Sequence, residues 1–263
     1  MAFCNVNGGS IYYEISGKGD PLVLIAGLAS DVQSWLTVKK QLASRFQLIL
    51  FDNRGVGRTS YTPQSVSIGQ MTEDLVTLLD HLQLASVRIL GHSMGGMIAM
   101  NLCLSHPERV SQCILAATTV KVNARNKMQF RDWSTYLKDQ MDMELWYKNL
   151  FYWLYSDDFF EKPAMVTAFL VGALSYRYPI VYESFNEQVE AAINFDFTPH
   201  VANIKAPVLV LLAEKDRLFT LDESWTSLKE IPNATLRVVA NTGHSLHIEQ
   251  PQSFVKEVFN FFG

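Results

Sequence analysis

The sequence predicts an α/β fold, with a mostly parallel sheet of eight strands flanked by helices and with an inserted α-helical cap. Short apolar runs alternate with amphipathic helical patterns in the first and last parts of the chain, as in parallel strands joined by crossover helices. The stretch 121–200 between them shows no convincing strand pattern. One predicted strand leads through the pentapeptide Gly91-His92-Ser93-Met94-Gly95 into an apolar helix.

The chain is expected to open with a β-hairpin, because the turn-forming residues Asn7-Gly8-Gly9-Ser10 lie between two short strand patterns. Beyond it, continuous apolar runs indicate buried strands, and apolar residues at helical spacing indicate amphipathic helices. The elements predicted before Ser93 are strands 3–6, 11–15, 22–25, 47–51 and 87–90, with helices at 32–43 and 68–82.

A glycine-containing turn, Ala26-Gly27-Leu28-Ala29-Ser30, follows strand 22–25. Such a turn lets backbone N–H groups point towards the tip of the sheet. We expect the N–H groups of Leu28 and Met94 to form an oxyanion hole, a pair of donors that stabilises the negative charge of a tetrahedral intermediate. On the local residues alone, an ordinary strand-to-helix turn remains the alternative.

The loop 52–60, which follows strand 47–51, contains two glycines and two arginines and so resembles a phosphate cradle at first sight. It lacks the Gly-Lys-Ser/Thr ending of a P-loop and the three-glycine spacing of a dinucleotide site. We therefore interpret it as a structural loop, in which Asp52 and Arg54 tie neighbouring loops together.

The pentapeptide around Ser93 has the pattern of a nucleophile elbow, a strained turn that lifts a serine hydroxyl clear of the sheet. The glycines two positions on either side fit this turn because it tolerates no Cβ nearby. The helix that begins at Met94 directs its N-terminal N–H groups and the positive end of its dipole at negative charge beside Ser93.

The stretch 121–195 is predicted to be a helical cap, and residues 1–120 and 196–263 to form the core domain. Of the 31 aromatic residues in the chain, 18 fall between positions 121 and 200, which favours several short helices packed over an apolar pocket. We expect Trp35, Phe130, Trp146 and Leu218 to line this pocket. The polar group Asn123, Arg125, Asn126 and Lys127 could instead bind a substrate carboxylate, and the sequence leaves that choice open.

A sixth strand is predicted at 112–116, just before the cap, and the alternation of strands and helices resumes after the cap with strands 208–213 and 236–239 and helices 222–230 and 251–262. Asp216 follows strand 208–213 and His244 follows strand 236–239, so both fall at the same edge of the sheet as Ser93. A histidine there activates the serine, and an aspartate orients the histidine. The sequence therefore predicts a catalytic triad of Ser93, Asp216 and His244, with no metal ion and no cofactor.

Taken together, these motifs resemble the α/β-hydrolase superfamily over the whole chain, with a cap inserted after the sixth strand. The matching segments are the Gly27-Leu28 turn, the loop 52–57, the elbow 91–96, the stretch 207–216, and Gly243-His244 with Glu249 and Pro251. The resemblance implies the fold and the triad with high specificity, and the substrate with much less.

Within the superfamily, the size of the cap and the segment 26–30 are similar to the branch of 3-oxoadipate enol-lactonases and aminoacrylate hydrolases. Many relatives carry histidine where this chain has Ala26; since that histidine mostly supports the loop, we expect the oxyanion geometry to survive. The resemblance also implies that His92 is a neighbour of the nucleophile and not a catalyst. No partner is predicted for His81, His106, His200 and His247.

The net charge of −4 and the sequence pI near 5.9 argue against a nucleic-acid partner. The N-terminus shows no signal-peptide pattern, and no apolar run approaches the roughly 20 residues of a membrane-spanning helix. We therefore expect a cytoplasmic monomer or homodimer. The three cysteines are expected to be reduced and buried.

The function expected from the sequence is hydrolysis of a small or medium carboxylic ester or lactone through an acyl-Ser93 intermediate. A thioesterase, a carbon–carbon bond hydrolase and a cofactor-free perhydrolase remain open on the same triad. A receptor of the same fold, which binds a ligand without turning it over, is an alternative of a different class.

Overall fold

The computed structural model describes residues 2–62 and 66–263; residues 1 and 63–65 of the predicted core domain lie outside the described residues. Its one sheet contains eight strands in a row. A short additional strand pairs with the second strand alone. The strands are β1 (Ala2–Val6), β2 (Gly9–Ser16), β3 (Asp20–Ile25), β4 (Phe46–Phe51), β5 (Ser60–Tyr61), β6 (Val87–His92), β7 (Val110–Ala116), β8 (Val208–Ala213) and β9 (Ala234–Val239).

The order of the row is β1-β2-β4-β3-β6-β7-β8-β9, and the short strand β5 pairs with β2. From β4 to β9 every pairing is parallel, whereas β1, β2 and β5 are antiparallel to their neighbours. The carboxyl ends of β3, β6, β8 and β9 therefore lie at one edge of the sheet, where loops from distant parts of the sequence meet.

Helices cover both faces of the sheet, because alternate residues of each strand point to opposite sides. In β3, Val23 and Ile25 join one apolar core, and Leu22 and Leu24 join the other. The first core also holds the apolar stripe of α2 (Ile68–His81) and most of α3 (Met94–Ser105), and the second holds α1 (Leu36–Leu42) and α11 (Pro251–Phe262).

Between β7 and β8 the chain forms a layer of helices with no strand among them. These are α4 (Ala124–Lys138), α5 (Met143–Leu154), α6 (Asp157–Phe160), α7 (Pro163–Leu174) and α8 (Tyr182–Ile193). An isolated antiparallel bridge between Lys121 and Asp196 joins the two ends of this layer. We use the word cap for residues 121–195, the bounds proposed from the sequence.

Three details differ from the predicted elements, one of them a short helix at Leu246–Glu249 that was not predicted. Residues 32–43, predicted as one helix, form a 3-10 turn at Val32–Trp35 followed by α1, and the two residues of β5 had no strand prediction. Two helices complete the core: α9 (Leu221–Leu228), close to its predicted position, and the four-residue α10 (Leu246–Glu249). Within the described part of the chain, no helix is both long and apolar enough to cross a membrane.

The predicted roles of Asp52 and Arg54 in the loop 52–60 agree with the structure, although Gly55, Val56, Gly57 and Thr59 of the same loop line the cavity described below. The Asp52 carboxylate accepts hydrogen bonds from the backbone N–H groups of Val32 (3.1 Å) and Arg58 (2.9 Å). Arg54 makes a buried ion pair with Asp74, in which the nitrogen and oxygen are 2.6 Å apart. The loop is thus connected to the 3-10 turn that begins at Val32 and, through Asp74, to α2.

Candidate active site

Ser93 lies at the junction of β6 and α3 with φ 56° and ψ −121°, a backbone conformation that residues with a Cβ rarely adopt. The neighbouring glycines are sterically required. A Cβ at Gly95 would lie 2.1 Å from the carbonyl oxygen of Ile25, and one at Gly91 would lie 2.3 Å from the carbonyl oxygen of Gly95. The Ser93 N–H donates to the Ala116 carbonyl at 2.9 Å, which anchors the turn to β7.

His244 contacts both of the other residues predicted for the triad. Its Nε2 lies 2.9 Å from Ser93 Oγ, and its Nδ1 lies 2.8 Å from Asp216 Oδ2. All three residues are at most 8% exposed. The structure therefore brings together, from the ends of β6, β8 and β9, the three residues that the sequence predicted as a triad; their roles as nucleophile, acid and base stay a prediction.

The Asp216 carboxylate is held by the loop that contains it. Its Oδ1 accepts hydrogen bonds from the N–H groups of Leu218 (2.8 Å) and Phe219 (3.0 Å), which leaves Oδ2 for His244. The same loop is bound from the cap, because Arg125 donates to the Leu218 carbonyl at 3.3 Å. The Asp216 carboxylate is thus held by the backbone of its own loop, and that loop is held in turn by Arg125 of the cap.

The loop that carries His244 is held by Glu249. The Glu249 carboxylate accepts hydrogen bonds from the N–H groups of Gly243 (2.7 Å) and Ser156 (3.2 Å), the second of which belongs to the cap. Burial raises the pKa of Glu249. The Ser245 N–H also donates to the Leu154 carbonyl of α5 at 3.0 Å. The cap and the His244 loop are therefore joined by direct hydrogen bonds.

The turn that contains Leu28 packs against the nucleophile elbow, and the two N–H groups predicted as oxyanion donors have no other partner among the described residues. Position 27 lies against the elbow, since a Cβ on Gly27 would come within 3.1 Å of the Ser93 Cβ. Neither Leu28 N–H nor Met94 N–H has a hydrogen-bond acceptor among the described residues. The assignment of these two N–H groups to an oxyanion hole stays a prediction, with which the absence of another acceptor agrees.

Two buried histidines surround the triad without joining it. His92 Nε2 lies 2.9 Å from the His244 carbonyl oxygen, to which it donates. His247 packs against the rings of His92 and Trp35, and neither of its ring nitrogens has a hydrogen-bond partner within the described residues. Burial lowers the pKa of His92 well below its usual range and that of His247 to about 3, so both rings are neutral at neutral pH.

A cavity of about 910 Å³ opens beside Ser93 and His244, near the upper end of the range for small-molecule sites. Much of its wall is aliphatic or aromatic and comes from the cap. Among the described residues of this wall, the one cation is Arg177 and the carboxylates are Asp31 and Glu183. The apolar cap residues in the wall include Phe130, Trp133, Leu150, Phe151, Leu154, Ala168, Phe169, Ala173, Ile180 and Phe185.

Two of the four residues predicted to line the pocket do so. Phe130 and Leu218 lie in the cavity wall, whereas Trp35 and Trp146 do not. Trp35 is 1% exposed and packs below the elbow against His92 and His247. Trp146 is fully buried inside the cap, where its Nε1 donates to the Trp133 carbonyl at 3.0 Å. The need to fill the interior of each layer buries these indole rings away from the cavity.

The polar residues at the start of α4 have partners elsewhere. Asn123 donates to Glu223 at 2.8 Å, and the Asn126 amide donates to the Leu218 carbonyl. Arg125 donates to the backbone of the Asp216 loop. Neither these three residues nor Lys127 lies in the cavity wall. Three of the four connect the cap to the core, and none is placed to bind a substrate carboxylate in the cavity.

Two contacts between cap and core had no signal in the sequence. The Tyr176 hydroxyl donates to the Asp31 carboxylate, and burial raises the pKa of that phenol. The Gln188 side chain of α8 reaches the turn that contains Leu28. Each joins residues more than 140 positions apart, and no local pattern in the chain identifies such pairs.

A family model described as "alpha/beta hydrolase fold" matches residues 20–251, which include the elbow, the cap and both loops of the triad. The chain belongs to this family. The α/β-hydrolase resemblance and the fold class predicted from the sequence are thereby confirmed, and the predicted hydrolase class agrees with them.

The relatives found by sequence are similar along almost the whole chain. A Caulobacter protein named "Putative carbamate hydrolase RutD" is 28% identical over 95% of this chain and 95% of its own length. The 3-oxoadipate enol-lactonase 2 of Acinetobacter baylyi is 26% identical over 93% of this chain and 90% of its own. The predicted similarity to the enol-lactonase branch agrees with this second relative.

A solved structure described as the enol-lactonase of Burkholderia xenovorans superposes on the chain with a TM-score of 0.90. The superposition covers 99% of each chain, and the sequence identity is 23%. At this identity the likeness concerns the fold alone.

Proposed function

We propose that this α/β hydrolase cleaves carboxylic esters or lactones through a covalent acyl-Ser93 intermediate. The observation that carries the proposal is the position of His244, which lies within hydrogen-bond distance of Ser93 Oγ on one side and of Asp216 on the other. This arrangement turns a weakly nucleophilic hydroxyl into a nucleophile.

In the first half of the reaction, His244 Nε2 accepts the Ser93 proton while Oγ bonds to the substrate carbonyl carbon. The carbonyl oxygen gains the negative charge and accepts hydrogen bonds from the Leu28 and Met94 N–H groups. His244 then gives its proton to the leaving alkoxide as the ester bond breaks. For a lactone, the leaving hydroxyl stays attached to the acyl group.

In the second half, His244 accepts a proton from water, whose oxygen attacks the acyl carbon. The bond to Ser93 Oγ breaks, the proton returns to the serine, and the carboxylic acid leaves. Asp216 stabilises the imidazolium formed in each half-reaction and keeps Nε2 directed at Ser93.

The cavity favours substrates with a bulky apolar acyl or alcohol group. Its wall is largely aliphatic and aromatic, and burying such a group there contributes roughly 25 cal/mol for each Å² removed from water. Arg177 and Glu183, two of the charged residues of the wall, are exposed to solvent. The polar residues at the start of α4 are bound to other groups, which removes the main support for a carboxylate-bearing substrate.

The test is hydrolysis of p-nitrophenyl esters from acetate to dodecanoate by the wild type and by Ser93→Ala. Labelling with a fluorophosphonate and peptide mass spectrometry accompany the kinetics. We expect turnover to fall by about 10⁴-fold or more in the variant, and the label to lie on Ser93. Lactones, thioesters and an aryl carbamate in the same panel compare the bond classes suggested by the relatives and by the triad.

Turnover and labelling that do not depend on Ser93 would contradict the proposal. If the wild type binds hydrophobic ligands with a large increase in melting temperature but turns none of them over, the receptor function replaces it.

A further inference from the structure

The side chain of Gln188 joins the cap to the turn that carries a proposed oxyanion donor. It lies in α8 and is completely buried. Its Oε1 accepts a hydrogen bond from the Ala29 N–H at 2.9 Å, and its Nε2 donates to the Arg54 carbonyl at 2.7 Å. Both polar atoms of this buried amide are therefore hydrogen-bonded. One of the two bonds is made with Ala29, the residue next to Leu28.

The turn at residues 27–30 needs such support. The Ser30 N–H donates to the Gly27 carbonyl at 3.2 Å, and Ala29, the third residue of this turn, has φ 56°. A turn of this kind favours glycine in the third position, because a Cβ is strained there. Rotation of the Leu28–Ala29 peptide would relieve the strain, and it would also move the Ala29 N–H away from Gln188 and change ψ of Leu28, so that the turn could relax on the side that carries the Leu28 N–H.

The other partner of Gln188 is rigid. The Arg54 side chain is fully buried, pairs with Asp74 through two hydrogen bonds of 2.6 and 2.8 Å, and donates to the Asn7 carbonyl at 2.7 Å. The Arg54 carbonyl is therefore a fixed point of the core. It orients the Gln188 amide so that the oxygen, and not the nitrogen, faces Ala29.

We propose that Gln188 is a positioning residue that holds the 27–30 turn in the conformation needed for the Leu28 N–H to stabilise the oxyanion. The docking of the cap thereby controls the oxyanion hole. This inference rests on the proposed acyl-Ser93 chemistry. It predicts that loss of Gln188 weakens stabilisation of the transition state more than binding of the substrate.

The main variant is Gln188→Met, which keeps the length of the side chain and removes both polar atoms. Its matched control is Asn186→Leu on the same helix, which removes a 2.8 Å hydrogen bond to Ser134 that lies within the cap. The measurements are kcat and KM for one ester, together with inhibition by an arylboronic acid, whose tetrahedral adduct on serine places an oxygen in the oxyanion hole.

We expect Gln188→Met to lower kcat by about 10- to 100-fold, less than the loss of an oxyanion donor itself, with KM changed by less than about threefold. The boronic acid should bind more weakly by a similar factor, and Asn186→Leu should match the wild type in both measurements. Adding Ala29→Gly to Gln188→Met should recover kcat by about two- to fivefold, because glycine adopts a positive φ without strain.

A wild-type kcat in Gln188→Met, a change confined to KM, or unchanged inhibition by the boronic acid would overturn the inference. If that variant does not fold, Gln188→Glu replaces it. A protonated carboxyl can both accept from Ala29 and donate to Arg54, whereas a carboxylate cannot donate. The kcat of this variant relative to wild type should therefore rise as the pH falls, and a flat ratio would contradict the inference.

The outcomes separate this inference from the proposed function. If the wild type is neither labelled at Ser93 nor active, the proposed function fails and the inference with it. If the wild type is labelled and active while Gln188→Met behaves in the same way, only the role of Gln188 fails.

Discussion

Asp216 Oδ2 lies 2.8 Å from His244 Nδ1, and the two side chains are almost completely buried. A carboxylate in this position accepts a hydrogen bond from the Nδ1–H group and so favours the tautomer in which Nε2 carries no proton and can accept a hydrogen bond from the Ser93 hydroxyl. The backbone N–H groups of Leu218 and Phe219 occupy the other carboxylate oxygen, so the pair has one stable arrangement.

Replacing Asp216 by asparagine tests this relationship. The amide nitrogen can take the place of Oδ2 and would then favour the wrong tautomer of His244, so we expect kcat to fall by about 10³- to 10⁴-fold with little change in folding. Steady-state kinetics and circular dichroism measure the two effects. Asp222→Asn on the exposed face of α9 serves as the control, and a decrease of less than tenfold in Asp216→Asn would contradict the assigned role.

The chain-length preference should depend on Gly172 of α7. This residue lies in the cavity wall, and a Cβ added to it would have no neighbour within 4 Å. We expect Gly172→Trp to lower kcat/KM for a decanoyl ester by about 10- to 100-fold and to change that for an acetyl ester by less than about threefold. Val171→Trp places the same ring on an exposed position outside the wall and should leave both substrates unaffected. Equal losses for the two esters would show that the long chain does not bind beside α7.

The stability of the elbow should depend on Gly95. Alanine there would force its Cβ against the Ile25 carbonyl oxygen at 2.1 Å, so we expect the free energy of unfolding to fall by about 1–3 kcal/mol or more. Gly172→Ala is the control, since it adds a Cβ in open space within a helix and should raise stability by up to about 1 kcal/mol. Denaturant unfolding measures both, and equal stabilities would show that α3 moves away from β3 at little cost.

The buried histidines should make the protein less stable in acid. The pKa of His247 is about 3 in the folded protein, against an ordinary value of about 6.5 for the unfolded chain. Between these values the unfolded state binds a proton that the folded state does not, so stability falls as the pH decreases. His92 acts in the same direction, because burial also lowers its pKa.

We therefore expect His247→Leu to flatten the dependence of stability on pH. Between pH 6 and pH 4 the wild type should lose up to about 1.4 kcal/mol more per pH unit than the variant. Near pH 7.5 the two should differ by less than about 1.5 kcal/mol, the usual net contribution of one hydrogen bond, because among the described residues the neutral His247 ring has at most a contact with the Ser34 backbone. Urea unfolding across this pH range makes the measurement, and parallel curves would contradict the prediction.

The sequence by itself determined the succession of elements and the loops that carry Ser93, Asp216 and His244. These features depend on local physics: apolar runs form buried strands, and glycines permit the turns that follow them. Because parallel strands end at one edge of the sheet, the spacing of three loops along the chain was enough to predict their meeting in space. The Gly27-Leu28 turn was predicted for the same reason.

Only the tertiary structure decided which side chains face the cavity. Trp35 and Trp146 were predicted to line the pocket, yet each is buried in the interior of its own layer. The polar residues at the start of α4 were open to a role in substrate binding, yet they form hydrogen bonds with the core. Gln188 gives no local signal, since its role depends on a turn 159 positions away. Helical periodicity predicts that a residue will be buried, but the contacts it makes there are set by the packing of distant elements.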